Sequence, residues 1–451
     1  MRVHFIAVGG SVMHNMAIAL HKKGFSVTGS DDVLFEPAVD RLKQYGLLPE
    51  KEGWYQEKIN KDIDVIILGM HARADNPELL KAQEFGLSIY SYPEYIYEHS
   101  KNKLRIVIGG SHGKTTITSM ILHVLKSAGK DFDYLVGAQL EGFDTMVKLT
   151  DEAPVIVIEG DEYLSSAIDR RPKFHLYKAN IAVISGIAWD HINVFPTFEN
   201  YTEQFEIFIQ TVQPGGQLIY SETDTVLNDL VKANRSAVEK IRYGLPAYNI
   251  KYGITNIIVN DTEYPLQVFG EHNLLNSEAA RLVCKNLGIG KEEFYTYLSS
   301  FKGAAQRLEL VGKNESSNFF KDFAHAPSKL RATIHAVKVQ FPDRKLVAAI
   351  ELHTFSSLDK NFLSQYSGSM DEADTAIVFI DRKTFEQKKM TPYGAETVKN
   401  AFQRDDLLFF NDPEELKNYL ENIDMQGTNL LTMSSGNFGG IDLKQLSVKI
   451  L

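Results

Sequence analysis

The stretch Gly109-Gly110-Ser111-His112-Gly113-Lys114-Thr115-Thr116 decides how this chain is read. It follows the apolar run LRIVI (104–108) and precedes ITSMILHVLKSAG (117–129), whose apolar residues recur at helical spacing. A glycine turn between a strand and a helix aims backbone N–H groups at one point. The helix N-terminus adds positive potential, so the segment suits a polyphosphate. Lys114 is placed to reach the outer phosphates of ATP, and the Thr115 hydroxyl to bind Mg2+. Gly110, Ser111, His112, Gly113 and Thr116 complete the ATP-binding loop. The full eight-residue pattern wants glycine where Ile108 stands, so this is a shortened variant.

Outward from the loop, VIVIEGDE (155–162) and IAVISGIAWDH (181–191) read as apolar strands ending in polar residues. Open α/β sheets bind ligands at such strand ends. Glu159, nearest the strand, is the expected Mg2+ carboxylate, and His191 a further metal or phosphate contact. Before the loop, RVHFIAV, SVTGSD and DVIILGM alternate with helical signals. After it, KLVAAIEL (345–352), DTAIVFID (374–381) and NLLTMSSG (429–436) repeat the alternation. The expected class is therefore α/β with parallel sheets. With about 150 residues per domain, 451 residues make three domains. Their expected bounds are 1–102, 103–302 and 303–451, with a polar joint at EHSKNK (98–103).

A net charge of −10 argues against a dedicated nucleic-acid binder, which is usually basic. No stretch approaches the roughly 20 apolar residues of a membrane span. The N-terminus MRVHFIAVGG lacks the regions of a signal peptide. A single cysteine, Cys284, allows no disulfide within the chain and reads as a buried small hydrophobe. The expected compartment is the cytoplasm, with no membrane or nucleic-acid partner.

Two more clusters carry polar chemistry. In Gly270-Glu271-His272-Asn273-Leu274-Leu275-Asn276, the asparagines share a helix face, where they either cap the helix or bind a nucleotide. Arg307 lies just past the expected joint at 303, where it could stabilise a transferring phosphoryl group. It is followed by Lys321-Asp322-Phe323-Ala324-His325-Ala326-Pro327.

Taken in order, GSHGKTT, EGDE, Asp190-His191, GEHNLLNSEAA, FKGAAQRLE and DFAHAP resemble the Mur ligase family of peptidoglycan enzymes over essentially the whole chain. The resemblance implies a UDP-binding Rossmann-like domain, a central P-loop ATPase domain and a C-terminal Rossmann-like domain for the amine. It also implies the reaction. ATP phosphorylates a carboxylate of the UDP-sugar substrate to an acyl phosphate, and an amine then attacks to form an amide.

By position, Lys114 would hold the β- and γ-phosphates, Thr115 and Glu159 one Mg2+, and His191 a second. Asn273, Asn276 and Arg307 would bind nucleotide, Asp322 its ribose, and His325 would face the amine. Lys114, His191 and Arg307 form the expected catalytic set. Gly9, Gly10 and Ser11 would meet the diphosphate of UDP-N-acetylmuramate, with Asn76 nearby. Family members usually carry a lysine about a dozen residues after the metal-binding histidine. Thr202 stands there, leaving Glu203 or Glu206 as substitutes, or another way of holding the second metal.

The amine is either free L-alanine or the tripeptide L-alanyl-γ-D-glutamyl-meso-diaminopimelate. Gln306, ELHTFSSL (351–358) and SSGNFGGI (434–441) favour the tripeptide, with His353 a candidate contact. A phosphotransferase that ligates nothing fits the same loop, but its ATP turnover would need no amine.

Overall fold

The computed structural model describes residues 1–304 and 307–451, so Gln306 lies outside the described residues. The chain packs as two compact units. One comprises residues 1–187, 199–244 and 279–290, and the other residues 188–198, 245–278 and 291–451.

The first unit holds two sheets. Strands β1 (Arg2–Ile6), β2 (Ser26–Ser30), β3 (Val65–Leu68) and β4 (Ser88–Ser91) form a parallel sheet in the order β2-β1-β3-β4. Helix α1 (Ser11–Lys22) follows the glycine turn after β1, which is where the strand order reverses. The second sheet has seven strands: β5 (Leu104–Gly109), β6 (Asp133–Leu135), β7 (Val147–Lys148), β8 (Val155–Glu159), β9 (Ile181–Ile184), β10 (Gln217–Ser221) and β11 (Glu239–Tyr243). Its order is β11-β10-β9-β5-β8-β6-β7, and only the short edge strand β7 runs antiparallel. The interior strands are nearly continuous runs of buried Ile and Val, as a sheet covered on both faces requires. Helix α2 (Lys114–Ser127) starts directly after the loop that follows β5.

One expectation needs correction. The strand expected to end at His191 stops at Ile184. Ile184 pairs with Gly109 of β5 and with Tyr220 of β10, and beyond it β5 turns away into the loop, so the ladder on that side ends. The chain continues as irregular backbone, with the Ile187 N–H donating to Asp224 at 2.7 Å.

The second unit holds an antiparallel sheet of β12 (Tyr248–Lys251), β13 (Ile254–Val259) and β14 (Thr262–Pro265). Its turns at Tyr252-Gly253 and Asn260-Asp261 have positive φ at both central residues, the twist that tight hairpins favour. Helix α3 (Glu271–Asn286) begins in this unit, and its Cys284, counted with the first unit, is fully buried, as expected. The last sheet contains β15 (Glu309–Lys313), β16 (Asn318–Asp322), β17 (Lys345–Glu351), β18 (Thr375–Phe379), β19 (Leu408–Phe410) and β20 (Thr428–Met433). Its order is β15-β16-β20-β17-β18-β19, parallel except for β15. Helix α4 (Pro327–Gln340) leads from β16 to β17 and buries Leu330, Ile334 and Val337 in its core. The α/β class with mainly parallel sheets is thus what the chain adopts. Among the described residues, no helix is long and apolar enough to cross a membrane.

Candidate active site

Three strand ends converge in the first unit: β5 at Gly109, β8 at Glu159 and β9 at Ile184. The loop from Gly110 to Gly113 lies between them. Gly110 has φ +124°, and a Cβ there would run into Ser185 Oγ, so the tight turn depends on glycine. Ser185 in turn donates to the His112 carbonyl, and the Ser111 N–H donates to the Gly186 carbonyl at 3.0 Å. The loop is therefore pinned to the segment after β9.

Lys114 and Thr115 open α2 and meet the acids after β8. The Lys114 ammonium donates to the Gly110 carbonyl at 2.6 Å and to Glu162 Oε2 at 2.7 Å. Burial works against that charge. The carboxylates of Glu162, Asp161 and Glu159 outweigh it and raise the lysine above its ordinary pKa. Thr115 Oγ1 donates to Glu159 Oε1 at 2.8 Å, and the Gly137 N–H donates to Glu159 Oε2 at 2.7 Å. Thr115 and Glu159 together present hard oxygen donors, which is what Mg2+ takes from a protein when phosphates and waters supply the rest. Among the described residues, no group of three or more His, Cys, Asp or Glu is gathered to hold an ion.

Tyr201 is a residue the sequence reading missed. Its hydroxyl donates to Glu162 Oε1 at 3.0 Å and lies 2.8 Å from Ser111 Oγ, tying the loop to the acid that faces Lys114. In helix Phe198–Gln210, Tyr201, Phe205 and Phe208 are buried at helical spacing. From sequence, Tyr201 therefore reads as core. Glu203 and Glu206 lie on the exposed face of that helix and Thr202 is half-buried.

At the first sheet, the Gly9 N–H donates to Asp31 Oδ2 at 2.6 Å, and Gly10 caps α1. Burial, aided by Asp32, pushes the Asp31 carboxyl up to about 6 despite that bond. Ser11 Oγ points to Met146 Sδ at 3.5 Å. Asn76 has its amide oxygen engaged as the cap of helix Pro77–Glu84. It accepts from the N–H groups of Glu78 and Leu79 at 2.9 and 3.1 Å.

The second unit gathers the rest. Asp322, at the end of β16, accepts the N–H groups of Leu308 at 2.5 Å and Ala324 at 2.6 Å. Its burial raises the carboxyl pKa, against the opposing pull of Arg307 and those two N–H groups. The Arg307 guanidinium lies 4.5 Å from the Phe323 ring centroid. Burial, and then Lys329, lower His325 to about 4, so it is neutral near pH 7. Its Nδ1 lies 2.8 Å from the Phe323 carbonyl. His191 adopts φ +55°, uncommon outside glycine, and its N–H donates to Asp190 Oδ1 at 2.8 Å. The Lys329 ammonium is 3.9 Å from the other Asp190 oxygen. Asn273 and Asn276 are both buried in the first turns of α3, and Asn273 Nδ2 donates to the Phe269 carbonyl at 2.9 Å. His353 follows β17 and faces Glu351.

Comparison with known proteins identifies the family. The family model "Mur ligase family, catalytic domain" matches residues 2–104, and "Mur ligase middle domain" matches residues 108–284. A UDP-N-acetylmuramate–L-alanine ligase of Sulfurihydrogenibium sp. (strain YO3AOP1) is 29% identical over 444 residues, covering 97% of this chain and 95% of that protein. The enzyme of the same name from Caldanaerobacter subterraneus is 29% identical over 452 residues, with the same coverage. Among solved structures, UDP-N-acetylmuramate-alanine ligase MurC from Thermotoga maritima superposes with a TM-score of 0.71 at 20% identity, covering 99% of this chain and 98% of that one. The murein peptide ligase mpl from Psychrobacter arcticus gives 0.66 at 22% identity, covering 99% of both chains. With both family models matched in order along the chain and relatives that span nearly its full length, the chain belongs to the Mur ligase family of ATP-dependent ligases.

Proposed function

We propose that this chain activates the carboxylate of UDP-N-acetylmuramate with ATP and joins it to the amino group of L-alanine. The observation that carries the first half is the meeting of Lys114, Thr115 and Glu159 at three strand ends around a glycine loop. A carboxylate resists amines because its negative charge repels nucleophiles and oxide is a poor leaving group. An acyl phosphate removes both obstacles. The ammonium of Lys114 offsets charge on the phosphates as they are transferred, and backbone N–H groups of 112–114 orient them. Mg2+, when bound through Thr115 and Glu159, would supply further charge neutralisation, with His191 proposed to hold a second ion. Asn273, Asn276, Arg307 and Asp322 are proposed to hold the nucleotide, with Asp322 on its ribose. Gly9, Gly10 and Ser11 are proposed to meet the diphosphate of the UDP-sugar. The domain bounds 1–102, 103–302 and 303–451 and a cytoplasmic location belong to the same reading.

Free L-alanine as the amine is supported by the names of the full-length relatives. A second reading, the tripeptide L-alanyl-γ-D-glutamyl-meso-diaminopimelate, is supported by the fold likeness to murein peptide ligases. The test is phosphate release from ATP with UDP-N-acetylmuramate, comparing L-alanine with the tripeptide and identifying the product by mass. Release with alanine supports the main reading, and release with tripeptide alone selects the second. Silence with both, or release that needs no amine, removes the proposal.

A further inference from the structure

In this structure the Lys114 ammonium donates to Glu162 Oε2 at 2.7 Å and to the Gly110 carbonyl at 2.6 Å. To hold the outer phosphates of a nucleotide it must turn toward them, and its hold on Glu162 weakens. Glu162 is 1% exposed, and a buried carboxylate left without its cation is costly. The cost of this exchange depends on what else holds the carboxylate.

The Tyr201 hydroxyl donates to the other oxygen, Glu162 Oε1, at 3.0 Å. A phenol has one O–H to give. In the 2.8 Å contact with Ser111 Oγ the serine is therefore the donor and Tyr201 the acceptor. The bonds run from Ser111 to Tyr201 to Glu162, each polarising the next. The Tyr201 ring is fully buried. It stands edge-on to Phe205, with centroids 5.3 Å apart, and Phe205 stands edge-on to Phe174 at 5.4 Å. The Phe174 N–H donates at 3.1 Å to the carbonyl of Asp161, the residue before Glu162. The helix and the acidic turn are thus fixed to each other by contacts that do not involve Lys114.

We propose that Tyr201 is a positioning residue for nucleotide binding: its hydroxyl holds the Glu162 carboxylate while Lys114 turns to the phosphates, which lowers the cost of that exchange. This rests on the reading that the glycine loop binds ATP. Two substitutions separate the role from simple packing, because their effects differ in sign. Tyr201→Phe keeps the ring and deletes the hydroxyl. Glu162 is then held less well once Lys114 turns away, so nucleotide affinity should fall by about tenfold. Glu162→Gln removes the charge that competes for Lys114, so affinity should equal or exceed that of wild type. Adding Tyr201→Phe to Glu162→Gln should cost at most about threefold, because a hydrogen bond to a neutral amide is worth less than one to a carboxylate.

The test is calorimetric titration of the full-length protein with the β,γ-imido analogue of ATP in the presence of Mg2+. Wild type, both single variants and the double variant are compared, each checked for folding by circular dichroism. A loss in Tyr201→Phe that largely disappears in the Glu162→Gln background supports the proposal. Equal binding by Tyr201→Phe and wild type overturns it. So does an undiminished loss in the Glu162→Gln background, which would mean that the hydroxyl matters only for packing. Should Tyr201→Phe not fold, Glu162→Gln alone decides: binding at least as tight as wild type supports the proposal, and weaker binding overturns it. A wild-type protein that binds no nucleotide removes the ATP reading and this proposal with it, whereas the other adverse outcomes remove the proposal alone.

Discussion

Replacing Lys114 by Met should separate two effects that share one side chain. The ammonium pairs with Glu162, whose side chain is 1% exposed, while that of Lys114 is 16% exposed. Removing one partner of a buried pair leaves the other charge uncompensated, which costs about 3–5 kcal/mol. The partial exposure of Lys114 and the Tyr201 hydroxyl on Glu162 Oε1 place the expected loss at the low end, about 3 kcal/mol. Lys114→Met/Glu162→Gln removes both charges at similar volume and should recover about 2 kcal/mol of it. Turnover should behave differently. On the proposed function, loss of the Lys114 cation costs about 10²–10³-fold, and the second substitution cannot restore it. Urea unfolding followed by far-ultraviolet circular dichroism reads the first quantity, and phosphate release reads the second. A single variant as stable as wild type would refute the buried-pair argument. A double variant that regained turnover would show that Lys114 acts only by holding Glu162.

Gly110→Ala should raise the KM for ATP by more than about tenfold, because its φ and the Ser185 contact both oppose a Cβ. An unchanged KM would show that the loop tolerates rearrangement. Thr115→Val keeps the shape but deletes the hydroxyl bonded to Glu159, so it should fold normally yet need much more Mg2+ for half-maximal phosphate release. An unaltered Mg2+ requirement would remove Thr115 from the metal site. His272 is lowered from 6.5 to about 4 by burial and then by His335. Its folded form stays neutral while the unfolded chain takes up a proton. Stability should therefore be fully present above pH 6.5 and decline as pH falls toward 4. Urea midpoints at several pH values should fall less steeply for His272→Gln, and identical slopes would contradict this.

Local features were the most legible ones. Glycine spacing, a lysine and two threonines between an apolar run and a helical run place the loop without any tertiary information. The same holds for Glu159 at the end of VIVIE, because a strand's terminal residue is set by where the apolar run stops. The end of β9 was misplaced because the apolar run to Trp189 outlasts the hydrogen-bonding partner that makes it a strand. Asn76 carries the signature of a helix cap before Pro77, a reading that its ligand assignment passed over.

What the sequence determined alone was the α/β alternation, the glycine loop between strand and helix, and the family, because these depend on residue order and short-range periodicity. Tertiary structure decided the partners. Glu162 meets Lys114 and Tyr201 across 48 and 39 residues of chain, and Ser434 meets Glu351 across 83. Sheet order brings those strand ends side by side, and no spacing rule along the chain encodes which strand lies beside which. The last sheet shows the same physics: β20 inserts between β16 and β17, and only that insertion creates the crevice where Glu351 and Ser434 meet.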